Sequence, residues 1–387
     1  MLADTAATPV ERGIPRTVWL VAIPIGFAVL GYVIRLFAYL EAGWEPSVWA
    51  YPDGLCRWDC QWYVTLAKTG YDTFPVPGLL DAGNWAFFPL FPAIVGGFYA
   101  LTGWPVMNIA SAVSIGFSIG AAWLAWPLLE RNLRAYVLYS AFLLCGPFSV
   151  YFTTFFTEVL FVLLTNAVML ALRRSNYLAA GASAALLSAT RIVGVFVVFA
   201  IGLQYLIAYR QRGGTVRGLL PELWRRPEIV LAILLVPAGL FAYMAYLHFL
   251  MGDALAFQHV QRAWGRVPGN PLLYLWIGLT DMPDSGFLPS TNQWLALTAL
   301  VGLGVTAVLF VRRQYPMAVF CLICLVLPLA AGLASMLRFV AALSPVVLPV
   351  MALLGRWRPV FLVTLLAFVA GDYFFTVGWL EEWLPLV

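Results

Sequence analysis

Asp59 stands in the stretch Arg57-Trp58-Asp59-Cys60-Gln61-Trp62-Tyr63, just after the first long apolar segment of the chain. At helical spacing it shares a face with Trp58, Trp62, Tyr63, Leu66 and Gly70, while Gln61, Thr65 and Lys68 fall on the other side. A carboxylate inside an apolar stripe beside a bilayer is expensive unless it lines a wet cavity or has a partner. Interfacial anchoring explains the aromatic residues around it but not the acid on the apolar face. Asp59 is therefore the candidate catalytic residue, a carboxylate able to take a proton from a hydroxyl. Asp53 and Asp72 of the same stretch are weaker candidates.

Four further groups carry polar chemistry. Gly70-Tyr71-Asp72 and Asn84-Trp85-Ala86-Phe87-Phe88-Pro89 follow Asp59 and read, with it, as a pair of amphipathic juxtamembrane helices forming a lid. Arg57, Trp58, Tyr63, Asp72 and Phe88 are its candidate substrate contacts. Pro147-Phe148-Ser149 leads to Thr157-Glu158, where Glu158 either meets substrate or simply complements a helix dipole. Arg191 and Arg338 sit singly at helix junctions on the acidic side of the chain and break its charge pattern; they read as phosphate contacts or as snorkelling side chains. Gly252 to Trp264 reads as an amphipathic outer helix carrying Gln258, His259 and Arg262. With two histidines in the chain and no acidic or cysteine cluster at ligand spacing, no metal or other cofactor is expected.

These residues need a scaffold, and composition supplies its class. The chain has 387 residues, 63% of them hydrophobic and 10% charged. Apolar runs long enough to cross a bilayer recur from end to end, which describes an all-α polytopic membrane protein in a single integral membrane domain. The net charge of +4 follows membrane topology and gives no reason to expect nucleic acid. Lys68 is the only lysine, a bias that with abundant Ala, Gly and Val suggests a GC-rich bacterial genome. Cys321 and Cys324 read as packing residues. A Cys56–Cys60 disulfide is geometrically awkward, because i,i+4 side chains on a helix rarely meet bond geometry.

Placing Arg12, Arg16 and the pairs Arg131/Arg134, Arg173/Arg174, Arg210/Arg212, Arg225/Arg226, Arg312/Arg313 and Arg356/Arg358 in the cytoplasm puts Asp53, Asp59, Asp72, Asp81, Asp253, Asp281, Asp284, Glu381 and Glu382 outside. Parity then allows only one crossing between Phe87 and Leu129. The Pro-broken first stretch reads as juxtamembrane and the second as the span. The count is about eleven spans, N-terminus in and C-terminus out. Two large outer loops result, 42–106 with the candidate base and 252–293 as a candidate donor or acceptor lid. Leu219, Leu220, Leu223 and Trp224 of the basic inner stretch suit the inner leaflet.

The ordered set of these segments resembles the PIG-V family, the GPI mannosyltransferase 2 type of the GT-C glycosyltransferases. The matching pieces are Trp58-Asp59 with Tyr63, Gly70-Tyr71, Ala86-Phe87-Phe88-Pro89, Pro147 to Glu158, Thr190-Arg191, Gly252-Asp253 with Phe257 and Gln258, and Ser335-Met336-Leu337-Arg338-Phe339. The chain has Thr-Glu and Leu-Arg-Phe where the family has Ser-Glu and Pro-Arg-Tyr. The resemblance implies a GT-C-like bundle and a polyprenyl-phosphate-mannose donor. It also implies inverting transfer to a lipid or glycan acceptor, and a carboxylate base in the first outer loop. Arg338, Arg191 and His259 are then expected at the phosphate, with membrane lipids around and the active site on the outer face of a bacterial plasma membrane, or the luminal face of the endoplasmic reticulum in a eukaryote. A transporter or flippase is the rival, though no internal repeat is evident and the polar candidates gather at one face. Arg35, inside the first helix, is left without explanation.

Overall fold

In lipid, a spanning backbone must satisfy its own polar groups, and long apolar runs without period-2 alternation do so as helices. The computed structural model describes residues 16–47, 49–76, 82–282 and 290–382. It is 77% helix, with no strand among the described residues, as expected of a helical membrane protein. Arg12, Asp81 and Asp284 lie outside the described residues.

The chain runs through α1 (Arg16–Glu41), the turn α2 (Tyr51–Gly54), α3 (Asp59–Thr69), α4 (Leu90–Thr102), α5 (Val106–Leu128), α6 (Leu133–Leu144) and the turn α7 (Val150–Thr153). It continues with α8 (Glu158–Arg173), α9 (Tyr177–Ser188), α10 (Val197–Gln211), α11 (Val216–Arg225), α12 (Pro227–Leu235) and α13 (Ala238–Met251). The short α14 (Ala256–His259) is followed by α15 (Pro271–Thr280), α16 (Thr291–Val311), α17 (Tyr315–Leu329), α18 (Met336–Ala341), α19 (Ser344–Leu354) and α20 (Arg358–Leu380). Among the described residues, five helices are long and apolar enough to cross a membrane. They are α1 from Val18, α5, the stretch Ile192–Gln211 that ends in α10, α16 and α20. α12 and α13 qualify as a sixth if taken as one span bent by 43°. α4, α6, α9, α15, α17 and α19 are apolar but shorter.

Close packing depends on small residues where helices touch. A Cβ on Gly181 of α9 would come within 2.6 Å of the Ala232 Cα of α12. The irregular segment between α6 and α8 is buried, so its backbone needs partners. The α5 hydroxyls of Ser114 and Ser118 donate to the Thr154 and Phe152 carbonyls at 2.6 and 2.7 Å. This fixes the approach of the chain to Glu158.

Arg35 is also accounted for. It is 1% exposed, and its Nη1 lies 3.1 Å from both carboxylate oxygens of Asp372 in α20 and 2.7 Å from Ser149 Oγ. Ser149 in turn donates to Asp372 at 2.5 Å. The network ties α1 and α20 to the segment that leads to α7. Breaking one side of such a pair leaves a buried unmatched charge. Asp372→Ala is expected to destabilise the fold by about 3–5 kcal/mol. The check is thermal unfolding in detergent, with the Arg35→Met/Asp372→Leu double variant recovering much of the loss. An unaltered midpoint for the single variant would mean that the pair does not hold the bundle.

At one end of the bundle Arg134 donates to the Arg356 carbonyl, and Arg173 to the Pro127 carbonyl while pairing with Glu130. At the other, Arg57 pairs with Glu382 at 3.3 Å and Trp379 Nε1 donates to the Leu55 carbonyl at 2.9 Å, bringing the 49–76 loop and the end of α20 together. α11 has no buried residue, and its Leu220 and Trp224 are exposed, as an amphipathic surface helix requires.

Candidate active site

α3 begins at Asp59, not before it. Trp58 is the residue ahead of the helix and takes a positive φ of 48°, so Cys56 lies outside the helical register. The i,i+4 objection therefore lapses, and Cys56 and Cys60 form a disulfide that brackets Asp59. Cys60, Tyr63 and Leu66 form the buried face of α3, and Asp59 sits at its first turn with 23% of its side chain exposed. The N-terminal partial charge of the helix favours that carboxylate.

Asp59 borders a cavity of about 410 Å³. Its walls come from α3 (Asp59, Tyr63), the 86–88 segment, the start of α8 (Thr157, Glu158, Phe161), the break after α9 (Thr190, Arg191), the 257–266 segment, the end of α17, and α18 with the residues after it. An ion-pair chain crosses the cavity wall. Arg338 Nη1 donates to Asp59 Oδ2 at 2.6 Å, and its Nε lies 3.0 Å from Glu158 Oε1. Arg191 Nη1 donates to the same Glu158 oxygen at 2.6 Å. Arg338 is 6% exposed and stacks over Phe156 and Phe339, with Arg191 also over Phe339. Both guanidiniums are held by carboxylates of the cavity wall. Burial alone would push the Arg338 guanidinium down, but Asp59 and Glu158 outweigh it and hold its pKa above the ordinary value. Burial and the Glu158 and Asp59 charges push the Tyr63 phenol up, which keeps it neutral. Its hydroxyl meets Thr157 Oγ1 at 3.3 Å. Glu158 Oε2 is buried with no hydrogen-bond partner among the described residues.

Of the candidates drawn from sequence, the fold brings together Asp59, Tyr63, Phe88, Glu158, Arg191, Gln258 and Arg338 at this cavity. It does not bring six others. Arg57 pairs with Glu382 and lies over the Trp44 ring, and Trp58 packs edge-on against buried Trp379. Asp72 is a brace: its N–H donates to Asn84 Oδ1 at 3.0 Å and its carbonyl accepts from Trp85 Nε1 at 2.7 Å, which sets the turn leading to Phe87 and Phe88. The segment after Gly252 is not one amphipathic helix but the four-residue α14 and a 3-10 turn, Val260–Trp264, ended by Gly265 at a positive φ. That shape turns Phe257 inward and leaves His259 and Arg262 exposed, away from the cavity lining. His259 Nδ1 instead meets Asp253 Oδ2 at 2.7 Å. Burial pushes the Asp253 carboxyl up, but the hydrogen bonds from His259 and the Leu255 N–H outweigh it and bring the pKa below the ordinary value. Asp53 is exposed and does not line the cavity.

Sequence reasoning passed over Arg266, which lines the cavity beyond Trp264. Its Nη2 donates to Ser335 Oγ at 3.4 Å, and the same oxygen accepts from Arg338 Nη2 at 3.3 Å. Burial and the Arg338 and Arg191 charges push the Arg266 guanidinium down, opposed by Asp59. Among the described residues no three His, Cys, Asp or Glu side chains gather as a metal site. No protein-family model matches the chain, and no curated protein matches it.

An arrangement of this kind can hold a neutral, hydroxyl-bearing group against Asp59 while arginines meet an anion. The aromatic side chains of Phe87, Phe88, Phe161, Phe257 and Trp264 line the same cavity, and such low-dielectric surroundings strengthen both interactions.

Proposed function

We propose that the protein is an inverting GT-C-type glycosyltransferase that moves mannose from a polyprenyl-phosphate-mannose donor to a hydroxyl of a lipid or glycan acceptor. The observation that carries this reading is Asp59 at the wall of an aromatic-lined cavity, 2.6 Å from the buried guanidinium of Arg338. The ordered resemblance to the PIG-V family supports it independently of that geometry. In the reaction the acceptor oxygen attacks the anomeric carbon from the face opposite the phosphate. The new carbon–oxygen bond forms as the bond to phosphate breaks, the acceptor proton passes to Asp59, and polyprenyl phosphate leaves as an anion. Holding both substrates in line makes the attack effectively intramolecular.

In this reading the bundle crosses the membrane about eleven times, with α6, α8, α9, α17 and α19 completing the set, the C-terminus outside and the active site on the outer face of a bacterial plasma membrane. The contact of the 49–76 loop with the end of α20, and the Cys56–Cys60 disulfide, both support an outward, oxidising setting. The 252–293 loop serves as lid.

The experiment is incubation of purified protein with polyprenyl-phosphate-mannose and a panel of lipid and glycan acceptors, read by mass spectrometry. A mannosylated acceptor is expected, with release of polyprenyl phosphate. Lipid movement across proteoliposomes with no sugar transferred to any acceptor would replace this reading with the flippase one.

A further inference from the structure

The cavity is lined by three guanidinium groups, Arg191, Arg266 and Arg338, and by two carboxylates, Asp59 and Glu158. Arg191 and Arg338 each meet a carboxylate; among the described residues no carboxylate lies in ion-pair reach of Arg266. Instead Arg266 and Arg338 both donate to one neutral oxygen, Ser335 Oγ. Ser335 is itself held at a left-handed φ of 66° ahead of α18. Two like charges converging on one neutral oxygen, one of them without an ion-pair partner among the described residues, repel each other, and an anion relieves that repulsion.

We propose that Arg266 is the positioning residue for the phosphate of the donor, and that it sets the charge of the cavity to suit a single phosphate group; this rests on the glycosyl-transfer reading above. With both acids ionised the lining carries one excess positive charge, and a sugar phosphodiester carries one negative charge. When the sugar leaves, Asp59 has taken the acceptor proton and the lining carries two excess positive charges. The departing lipid phosphate is then a monoester with a charge near −2. The cavity is therefore close to neutral before and after transfer, with Arg266 indispensable to both balances. A diphosphate-linked donor would leave it short of positive charge at both ends. On arrival, the phosphodiester shares Arg338 with Asp59, loosening the ion pair between Arg338 and that carboxylate.

The test uses the full-length protein in detergent and two lipid probes of equal chain length, a polyprenyl phosphate and the uncharged polyprenol. Arg266→Gln is expected to weaken polyprenyl phosphate binding at least about tenfold, the scale of one charge-assisted contact, and to leave polyprenol binding unchanged. Arg266→Lys is expected to recover most of that binding by restoring the charge, and Arg266→Met carries the loss comparison if the glutamine variant does not fold. A general structural role would weaken both lipids together, and that result overturns the inference. Phosphate binding by Arg266→Gln within twofold of the wild type also overturns it while leaving the transfer reading standing. Failure of the wild type to prefer the phosphate over the alcohol removes both.

Discussion

Asp59→Asn is expected to lower sugar transfer by about three orders of magnitude, within the range for removal of a general base, while the protein still folds and binds donor. The amide keeps the shape of the side chain at the first turn of α3 and still fits beside Arg338 as a neutral acceptor. What it loses is the capacity to accept the acceptor proton. Tyr63, whose phenol is pushed up and stays protonated, offers no substitute base. Glu158 is the other carboxylate at the cavity, but it is 2% exposed and its Oε1 is already held by Arg191. The measurement is initial rate under saturating donor and acceptor, with donor affinity determined separately. Turnover within tenfold of wild type would remove Asp59 from the base role and direct attention to Glu158, whose Oε2 has no hydrogen-bond partner among the described residues.

The helical class was legible because apolar runs of this length have one backbone solution in lipid, and Asp59 stood out because a charge on an apolar helical face needs a reason. Its partner was not legible. Asp59 and Arg338 are 279 residues apart, and nothing local in either segment names the other. The same holds for Arg35 and Asp372, 337 residues apart, where the sequence showed an unexplained charge and the fold shows a pair. Arg266 was missed for a different reason. It sits in Gly265-Arg266-Val267-Pro268-Gly269, which reads as a solvated turn. The signal that marked Arg191 and Arg338, a single arginine on the acidic side of the chain, applied to Arg266 as well. His259 and Arg262 were misplaced by reading Gly252 to Trp264 as one helical period, whereas the α-helix runs only over Ala256–His259 and gives way to a 3-10 turn. The Cys56–Cys60 spacing misled similarly, since its helix starts three residues later than Cys56.

Arg338→Ala is expected to damage donor use and rate together, raising the donor concentration needed and lowering the maximal rate by about 10²–10³-fold, the scale of losing one preorganised donor to a developing anion. It is also expected to lower stability by about 3–5 kcal/mol, because a nearly buried guanidinium between Asp59 and Glu158 cannot be removed without leaving carboxylate charge unmatched. Arg338→Lys keeps the charge but cannot reach Asp59, Glu158 and Ser335 from one planar fork, so it should fall between the two. The stability and catalytic effects separate in a double variant. Asp59→Asn/Arg338→Met removes the unmatched charge at Asp59 and should regain part of the thermal midpoint while restoring no activity. A maximal rate and donor dependence unchanged in Arg338→Ala would reduce this arginine to a packing role, and the phosphate would then have to be met by Arg191 and Arg266 alone.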